Sequence, residues 1–318
     1  MLLKNNSVEP NRQIKKSEGL AGHLQTTIAQ PISCQGTGVH SGKAASMLLK
    51  PAPADTGIIF NRVDLGRQNA VILANWRHVK NTALCTLLAN SDEVSVSTVE
   101  HLLAALNGLG IDNLIVDVDG PELPIMDGSA GHFVDLIDTV GIVEQGAFKK
   151  ILVVQKDIAI TDGDRWVKLS PSPIREFSFS CIFDRPVTLD DQYYSFALTP
   201  TSFRGEIAGA RTFGFVEDVE LLQAKGFILG ATLDNAIGLS AFGVVNPEGL
   251  RFSDECVRHK ILDAIGDLAL AGLPIMGAFS GHRSGHDLNY QLVKKLMTDE
   301  TAFSVVQQSD VAISSLEG

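Results

Sequence analysis

The sequence predicts an α+β protein of two halves similar in size, and three observations carry that expectation. Strand-like pieces precede the first amphipathic helical pattern. The stretch Gly141 to Lys150, where two glycines flank a polar patch, reads as a linker because a fresh strand, Ile151 to Gln155, begins after it. Strands and helices then recur, which suits a second α+β layer arrangement. The 318 residues, 45% hydrophobic and 20% charged, are enough for two globular domains. The expected division is an N-terminal arm over 1–21, disordered, a domain over 22–146, a domain over 147–310 and a tail over 311–318.

The elements follow in chain order. Met47 to Lys50, Gly57 to Arg62 and Asn69 to Ala74 are strand-like. Val99, Leu102, Leu103 and Leu106 then fall at i, i+3, i+4 and i+7, giving one apolar helical face, with Asn107-Gly108 as its stop. Ser97 and Glu100 have capping-box spacing, and spacing alone favours a cap over a catalytic carboxylate. His101 projects nearly opposite the leucines beside Ala104 and Ala105, surroundings too apolar for a solvent face. Leu114 to Val118 is a β-branched strand ended by Gly120-Pro121, and Phe133 to Val140 reads as a helix. Met126-Asp127-Gly128-Ser129 reads as a tight turn.

In the second half the helix opening at Ser253, the expected N-cap, runs toward Gly272. Its apolar stripe is Ile261, Leu262, Ile265, Leu268 and Ala269, and His259, Lys260, Asp263 and Asp267 share a polar strip on the other side. His259 and Asp263, one turn apart, could reach one metal, although a solvated i, i+4 pair is the ordinary explanation. Gly266 argues against the ordinary one. A mid-helix glycine costs about 1 kcal/mol relative to alanine, so a close approach by another segment is expected there.

Composition excludes several functions. The formal net charge of -11 opposes nucleic acid or an anionic membrane surface as partner, so any anionic substrate needs locally placed cations. No apolar run suits a signal peptide or a membrane span, and a cytoplasmic location is expected. Cys34, Cys85, Cys181 and Cys256 form no Cys-x-x-Cys pair and are expected to be buried, small and apolar. His40 reads as a turn residue, with a place near a polar site as the alternative, the loop Gly281 to Asp287 as either a surface turn or a catalytic loop, and His23, His78 and His132 as ordinary side chains. No glycine run makes a P-loop.

Six segments in order, from about residue 24 to about residue 300, make the chain resemble the UDP-3-O-acyl-N-acetylglucosamine deacetylase family of the lipid A pathway. They are Ser97-Thr98-Val99-Glu100-His101-Leu102, Gly110-Ile111-Asp112-Asn113, Pro124-Ile125-Met126-Asp127-Gly128-Ser129-Ala130, Ala210-Arg211-Thr212-Phe213-Gly214-Phe215, Arg258 to Asp267, and Ser284-Gly285-His286. The resemblance implies that His101, His259 and Asp263 hold zinc, with ferrous iron as the alternative in the cell. It implies Glu100 as general base, His286 as acid and electrostatic stabiliser, Thr212 as donor to the oxyanion and Asp267 as the partner orienting His286. Lys260 and Arg283 become cations near the sugar and diphosphate, and Phe183 packs against the uridine. Phe213 opens an insert reaching Val245 that forms an apolar passage for an acyl chain. By composition alone, that insert reads equally well as a packed βα unit.

The implied architecture is a layered sandwich of two α+β domains, the helices of both lying between two sheets. The implied partner is a small nucleotide-sugar lipid precursor bound by a monomer without stable membrane insertion. Two departures stand out: Arg165 replaces a family lysine, and Asp287 follows His286 where a small residue is usual. Two other classes stay open, a metallo-amidohydrolase for a different N-acyl substrate and a non-catalytic module that binds an acylated nucleotide sugar.

Overall fold

The computed structural model describes residues 23–66, 70–183 and 189–308, so the expected arm and tail lie outside the described residues. Each half is built on a five-stranded sheet with one face buried. In the first, the spatial order is Ile32–Thr37, Ala44–Pro51, Leu114–Asp119, Ile58–Arg62 and Val71–Leu73. Only Leu114–Asp119 and Ile58–Arg62 run parallel. In the second, the order is Ile158–Asp162, Arg165–Ser170, Ala278–His282, Glu176–Cys181 and Gln192–Ala197, again with one parallel pair, Ala278–His282 beside Glu176–Cys181. The late strand thus enters the same place in both sheets. No repeat in the letters announces this duplication, because the sheets require only alternating apolar positions, as in Ala44–Pro51 and Glu176–Cys181.

The closing strands extend the correspondence. Leu24–Ile28 pairs antiparallel with Ile142–Phe148, and Lys150–Val154 pairs antiparallel with Phe303–Gln307. The expected linker Gly141 to Lys150 is therefore corrected: most of it is strand. Its ribbon leaves most side chains partly or fully exposed, so its sequence lacks the apolar signal of a core strand.

The helices are α1 (Glu100–Leu109), α2 (Gly131–Val140), the short α3 (Pro200–Ser202) and α4 (Val219–Ala224), α5 (Glu255–Leu268) and α6 (His286–Thr298). Helix α1 packs on α5, which in turn lies on the second sheet, so the long helices occupy the space between the sheets. Every residue of α1 except Asn107 is buried, which explains the covered His101. The predicted stop at Asn107-Gly108 is corrected to Gly110, whose φ of 80° closes the helix. Gly108 instead lets Phe203 approach, since a Cβ there would lie 2.4 Å from its ring.

Gly266 meets the expectation of a close approach: a Cβ on it would lie 2.1 Å from the Glu100 carbonyl oxygen. Asn107 Nδ2 adds a 2.9 Å bond to the Ile265 carbonyl at the same crossing. In each half a small three-stranded sheet intervenes before the inner helix: Val79–Asn81, Leu87–Ala89 and Ser95–Val96 before α1, and Phe213–Phe215, Ile237–Ser240 and Gly243–Val244 before α5. The tight turn at Met126–Ser129 is present, with Gly128 N–H donating to Ile125 O at 3.0 Å. Cys85, Cys181 and Cys256 are buried as expected, while Cys34 is half-buried. Among the described residues, no helix is long and apolar enough to cross a membrane.

Candidate metal centre

The crossing of α1 and α5 brings two imidazoles and a carboxylate together. His101, His259 and Asp263 are buried, and one ligand atom from each lies within 4.8 Å of the others. Asp263 Oδ1 stands 3.3 Å from His259 Nε2 and 3.7 Å from His101 Nε2, and the two rings meet edge to face at 5.0 Å. Ligand atoms about 2.1 Å from one tetrahedral ion would be about 3.4 Å apart, so the spacing suits a single ion. The hydrogen bonding agrees. Asp263 Oδ1 is buried with no hydrogen-bond partner, and an unpaired buried carboxylate oxygen is costly unless something else engages it.

The local fold supports His259 in that role. Its Nδ1 lies 3.0 Å from the Ala210 carbonyl, which favours the proton on Nδ1 and leaves Nε2 as a donor to metal. Burial lowers the His259 pKa to about 3, so the ring is neutral. Burial disfavours charge on Asp263, but His259, Lys260 and His286 outweigh it and hold the carboxyl well below its ordinary range. His101 lacks an orienting partner, its Nδ1 being buried and unbonded. The Ala210 carbonyl is fixed through its neighbour: buried Arg211 donates from Nε and its backbone N–H to Glu255 Oε1 at 2.9 and 3.0 Å. Glu255 is the first residue of α5, where Ser253 was expected to cap. No side chain caps that helix; the Glu255 carboxylate faces Arg211 and the Arg251 N–H instead.

Glu100 does not form the capping box. Ser97 Oγ donates to the Pro121 carbonyl at 3.2 Å, and Glu100 turns inward to accept the Thr86 N–H at 3.1 Å on Oε2. The Ser-x-x-Glu spacing is shared by both uses, and the decisive partner lies 14 residues upstream. Burial raises the Glu100 pKa. Its Oε1 lies 3.9 Å from His286 Nε2, while His286 Nδ1 meets Asp267 Oδ2 at 2.8 Å. Burial opposes charge on His286, but Asp267, Asp263 and Glu100 outweigh it and raise the imidazole to about 10. A buried carboxylate and a protonated imidazole therefore face one another beside the His101, His259 and Asp263 cluster, an arrangement that can take up and give a proton.

The remaining candidates divide between the centre and its rim. Lys260 Nζ donates to Asp263 Oδ2 at 3.1 Å and lies 5.5 Å from the Phe213 ring. Phe213 in turn meets His259 at 6.3 Å and Phe183 at 6.4 Å. Thr212 is placed beside them by its N–H to Gly128 O at 2.8 Å and by Ile237 N–H to its own carbonyl at 2.7 Å. Arg283 pairs with Asp164 at 3.1 Å, and Arg165 pairs with Asp162 where the strands Ile158–Asp162 and Arg165–Ser170 meet. Asp287 is exposed and accepts from Gln291 at 3.0 Å. His40 is part of a packed junction: Glu122 accepts its N–H at 2.7 Å, its ring lies 5.9 Å from Phe227, and Nε2 is buried without a partner.

Sequence reasoning missed Thr86, Asn289, Ala210, Arg211 and Glu255 as parts of the site. Asn289 was findable, since it lies three residues after His286 and shares its helical face. Thr86 sits 181 residues from its partner Asp267 and gives no local signal.

Comparison with known proteins adds an independent line. The family model described as UDP-3-O-acyl N-acetylglycosamine deacetylase matches residues 25–298. A relative from Shewanella violacea named UDP-3-O-acyl-N-acetylglucosamine deacetylase is 45% identical over 285 residues, covering 89% of this chain and 92% of its own length. Relatives of the same name from Pasteurella multocida and Anaeromyxobacter sp. are 45% and 48% identical, covering 90% and 89% of this chain and 94% and 91% of their own lengths.

Proposed function

The chain belongs to the UDP-3-O-acyl N-acetylglycosamine deacetylase family, and from that premise we propose that it hydrolyses the N-acetyl group of UDP-3-O-acyl-N-acetylglucosamine in lipid A biosynthesis. Water adds to the acetyl carbonyl, the carbon–nitrogen bond breaks, and acetate and the free amine leave. The observation that carries this reading is the buried triad with the unpartnered Asp263 oxygen, flanked by a proton acceptor and a proton donor. His101, His259 and Asp263 hold a zinc ion, with ferrous iron as the cellular alternative. Bound there, the ion supplies Lewis acidity toward water and carbonyl.

Glu100 takes a proton from the attacking water, its carboxylate made more basic by burial. His286, protonated, stabilises developing negative charge and gives its proton to the leaving amine, with Asp267 fixing the ring. Thr212 donates its hydroxyl to the tetrahedral oxygen. Lys260, Arg283 and Arg165 meet sugar and diphosphate, the last two by exchanging their present carboxylate partners for phosphate. Phe183 packs on the uridine. Leu221, Leu229, Leu233, Phe242 and Val245 are exposed apolar side chains on the insert, and they line the acyl passage that opens at Phe213. The enzyme acts as a cytoplasmic monomer.

The test is acetate release from UDP-3-O-acyl-N-acetylglucosamine with parallel metal analysis. Single alanine changes at His101, His259 and Asp263 should lower both. Two such variants that keep full metal at limiting supply would refute the ligand assignment.

A further inference from the structure

Thr86 belongs to none of the groups assigned a role above, yet it touches both proton-handling arms of the site. Its side chain is buried, in the loop leading into Leu87–Ala89. Its N–H donates to Glu100 Oε2 at 3.1 Å, and its hydroxyl donates to Asp267 Oδ1 at 2.6 Å. Asp267 Oδ2 receives His286 Nδ1 at 2.8 Å and Asn289 Nδ2 at 2.9 Å. His286 Nε2 then faces Glu100 Oε1 at 3.9 Å. The four residues Thr86, Glu100, His286 and Asp267 close a ring, two from each half of the chain.

We propose that Thr86 is a positioning residue that sets the separation between the proton acceptor Glu100 and the proton donor His286. The inference rests on the deacetylase reading. A carboxylate has free rotation about its last bond, so a donor on one oxygen decides where the other points. With Oδ1 claimed by Thr86, Oδ2 is held toward His286, and the imidazole plane follows. The backbone around Thr86 is itself constrained, since Leu84 and Thr98, on either side of it in sequence, have φ of 68° and 60°, conformations that non-glycine residues adopt only when their surroundings enforce them. Val99 N–H also reaches the Thr86 carbonyl at 3.5 Å. The loop is thereby tied to the start of α1, so the hydroxyl and the Glu100 contact move together.

The test compares Thr86→Val, which removes the hydroxyl at nearly constant shape, with Thr86→Ser, which keeps it. Acetate release, metal content and thermal unfolding are measured on the metal-loaded full chain. In Thr86→Val, kcat should fall by about ten- to a hundredfold while KM, bound metal and Tm stay close to wild type, and Thr86→Ser should restore kcat. Should the valine variant misfold, Thr86→Ala removes the hydroxyl without added bulk and takes its place. In an Asp267→Asn background the Thr86→Val change should cost far less, because the element it acts through is already lost. An active wild type with an equally active valine or alanine variant overturns the proposal alone, as does a serine variant no better than valine. A wild type that releases no acetate overturns the deacetylase reading and this proposal with it.

Discussion

Replacing Gly266 by alanine sets two physical effects of opposite sign against each other. Helix propensity alone predicts that Gly266→Ala stabilises α5 by about 1 kcal/mol. The structure predicts the reverse. The added Cβ would lie 2.1 Å from the Glu100 carbonyl oxygen, 2.9 Å from its carbonyl carbon and 3.1 Å from its Cα, all backbone atoms that cannot rotate aside. Relief requires α1 and α5 to separate by roughly 1 Å at the crossing, since overpacked interiors yield only through such shifts, at a typical cost of 1–3 kcal/mol. The net effect should be a loss of stability, read as a Tm lower by several degrees in metal-free protein. The same separation acts on the cluster, because His101 rides on α1 while His259 and Asp263 ride on α5. The 3.7 Å spacing between His101 Nε2 and Asp263 Oδ1 would open while the 3.3 Å pair within α5 stays, and metal affinity should fall by tenfold or more. Calorimetric unfolding and metal titration measure the two effects separately. A Gly266→Ala variant that melts higher than wild type and binds metal equally well would falsify the argument from close approach.

Three further outcomes follow from the site. Glu100→Gln keeps an oxygen for the Thr86 N–H but cannot accept a proton, so turnover should drop by about a hundredfold or more, near 2.7 kcal/mol at 1.36 per decade, and the acidic limb of the pH profile should vanish. Because burial raises the Glu100 pKa, stability is lost as pH rises above the ordinary carboxyl value of 4.5, and metal-free Glu100→Gln should melt no lower than wild type at neutral pH; a variant with near-normal turnover would leave the mechanism without its base. The His286 imidazole is raised from 6.5 to about 10, so it stays protonated through neutrality, and the stability its carboxylate partners provide is complete below 6.5 and lost progressively as pH rises from there through about 10. Asp267→Asn removes the foremost cause of that rise and should move the alkaline limb of kcat/KM toward neutral pH; an unmoved limb would exclude His286 as the titrating acid. Leu229→Gln, on the exposed insert, should penalise long acyl chains more than short ones, since each buried methylene contributes about 0.8 kcal/mol, and equal losses across a chain-length series would return the insert to a packing role.

Local chemistry was legible in the sequence where one segment held all of its own evidence. His259, Asp263 and Asp267 share one helical strip, and the misplaced glycine among them announced a neighbour before that neighbour was known. Glu100 was the opposite case. Its spacing from Ser97 fits a cap, and only the folded loop carrying Thr86 turns it inward. Gly108 misled for a related reason: a glycine near a helix end reads as a stop, whereas here it makes room for Phe203 across the half boundary. The ribbon Ile142–Phe148 was hidden because strands that bury little carry little pattern. The duplicated sheet order was hidden too, since pairing rests on backbone atoms common to every residue.

The placement of the two small inserted sheets, each between the fourth strand of its five-stranded sheet and the inner helix, separates two kinds of heritable change. The segment from Phe213 to Val245 adds no strand to either five-stranded sheet, yet it is anchored at the centre by Phe213, against His259 and Lys260, and by Ile237, whose N–H holds the Thr212 carbonyl. On the proposed reading of that segment as an acyl passage, its exposed positions between those anchors can change with the apolar part of a substrate while the α1–α5 crossing stays fixed. On the proposed function, the piece that chooses and the piece that reacts are joined at the Ala210 to Phe213 segment, which touches His259 through both the Ala210 carbonyl and the Phe213 ring.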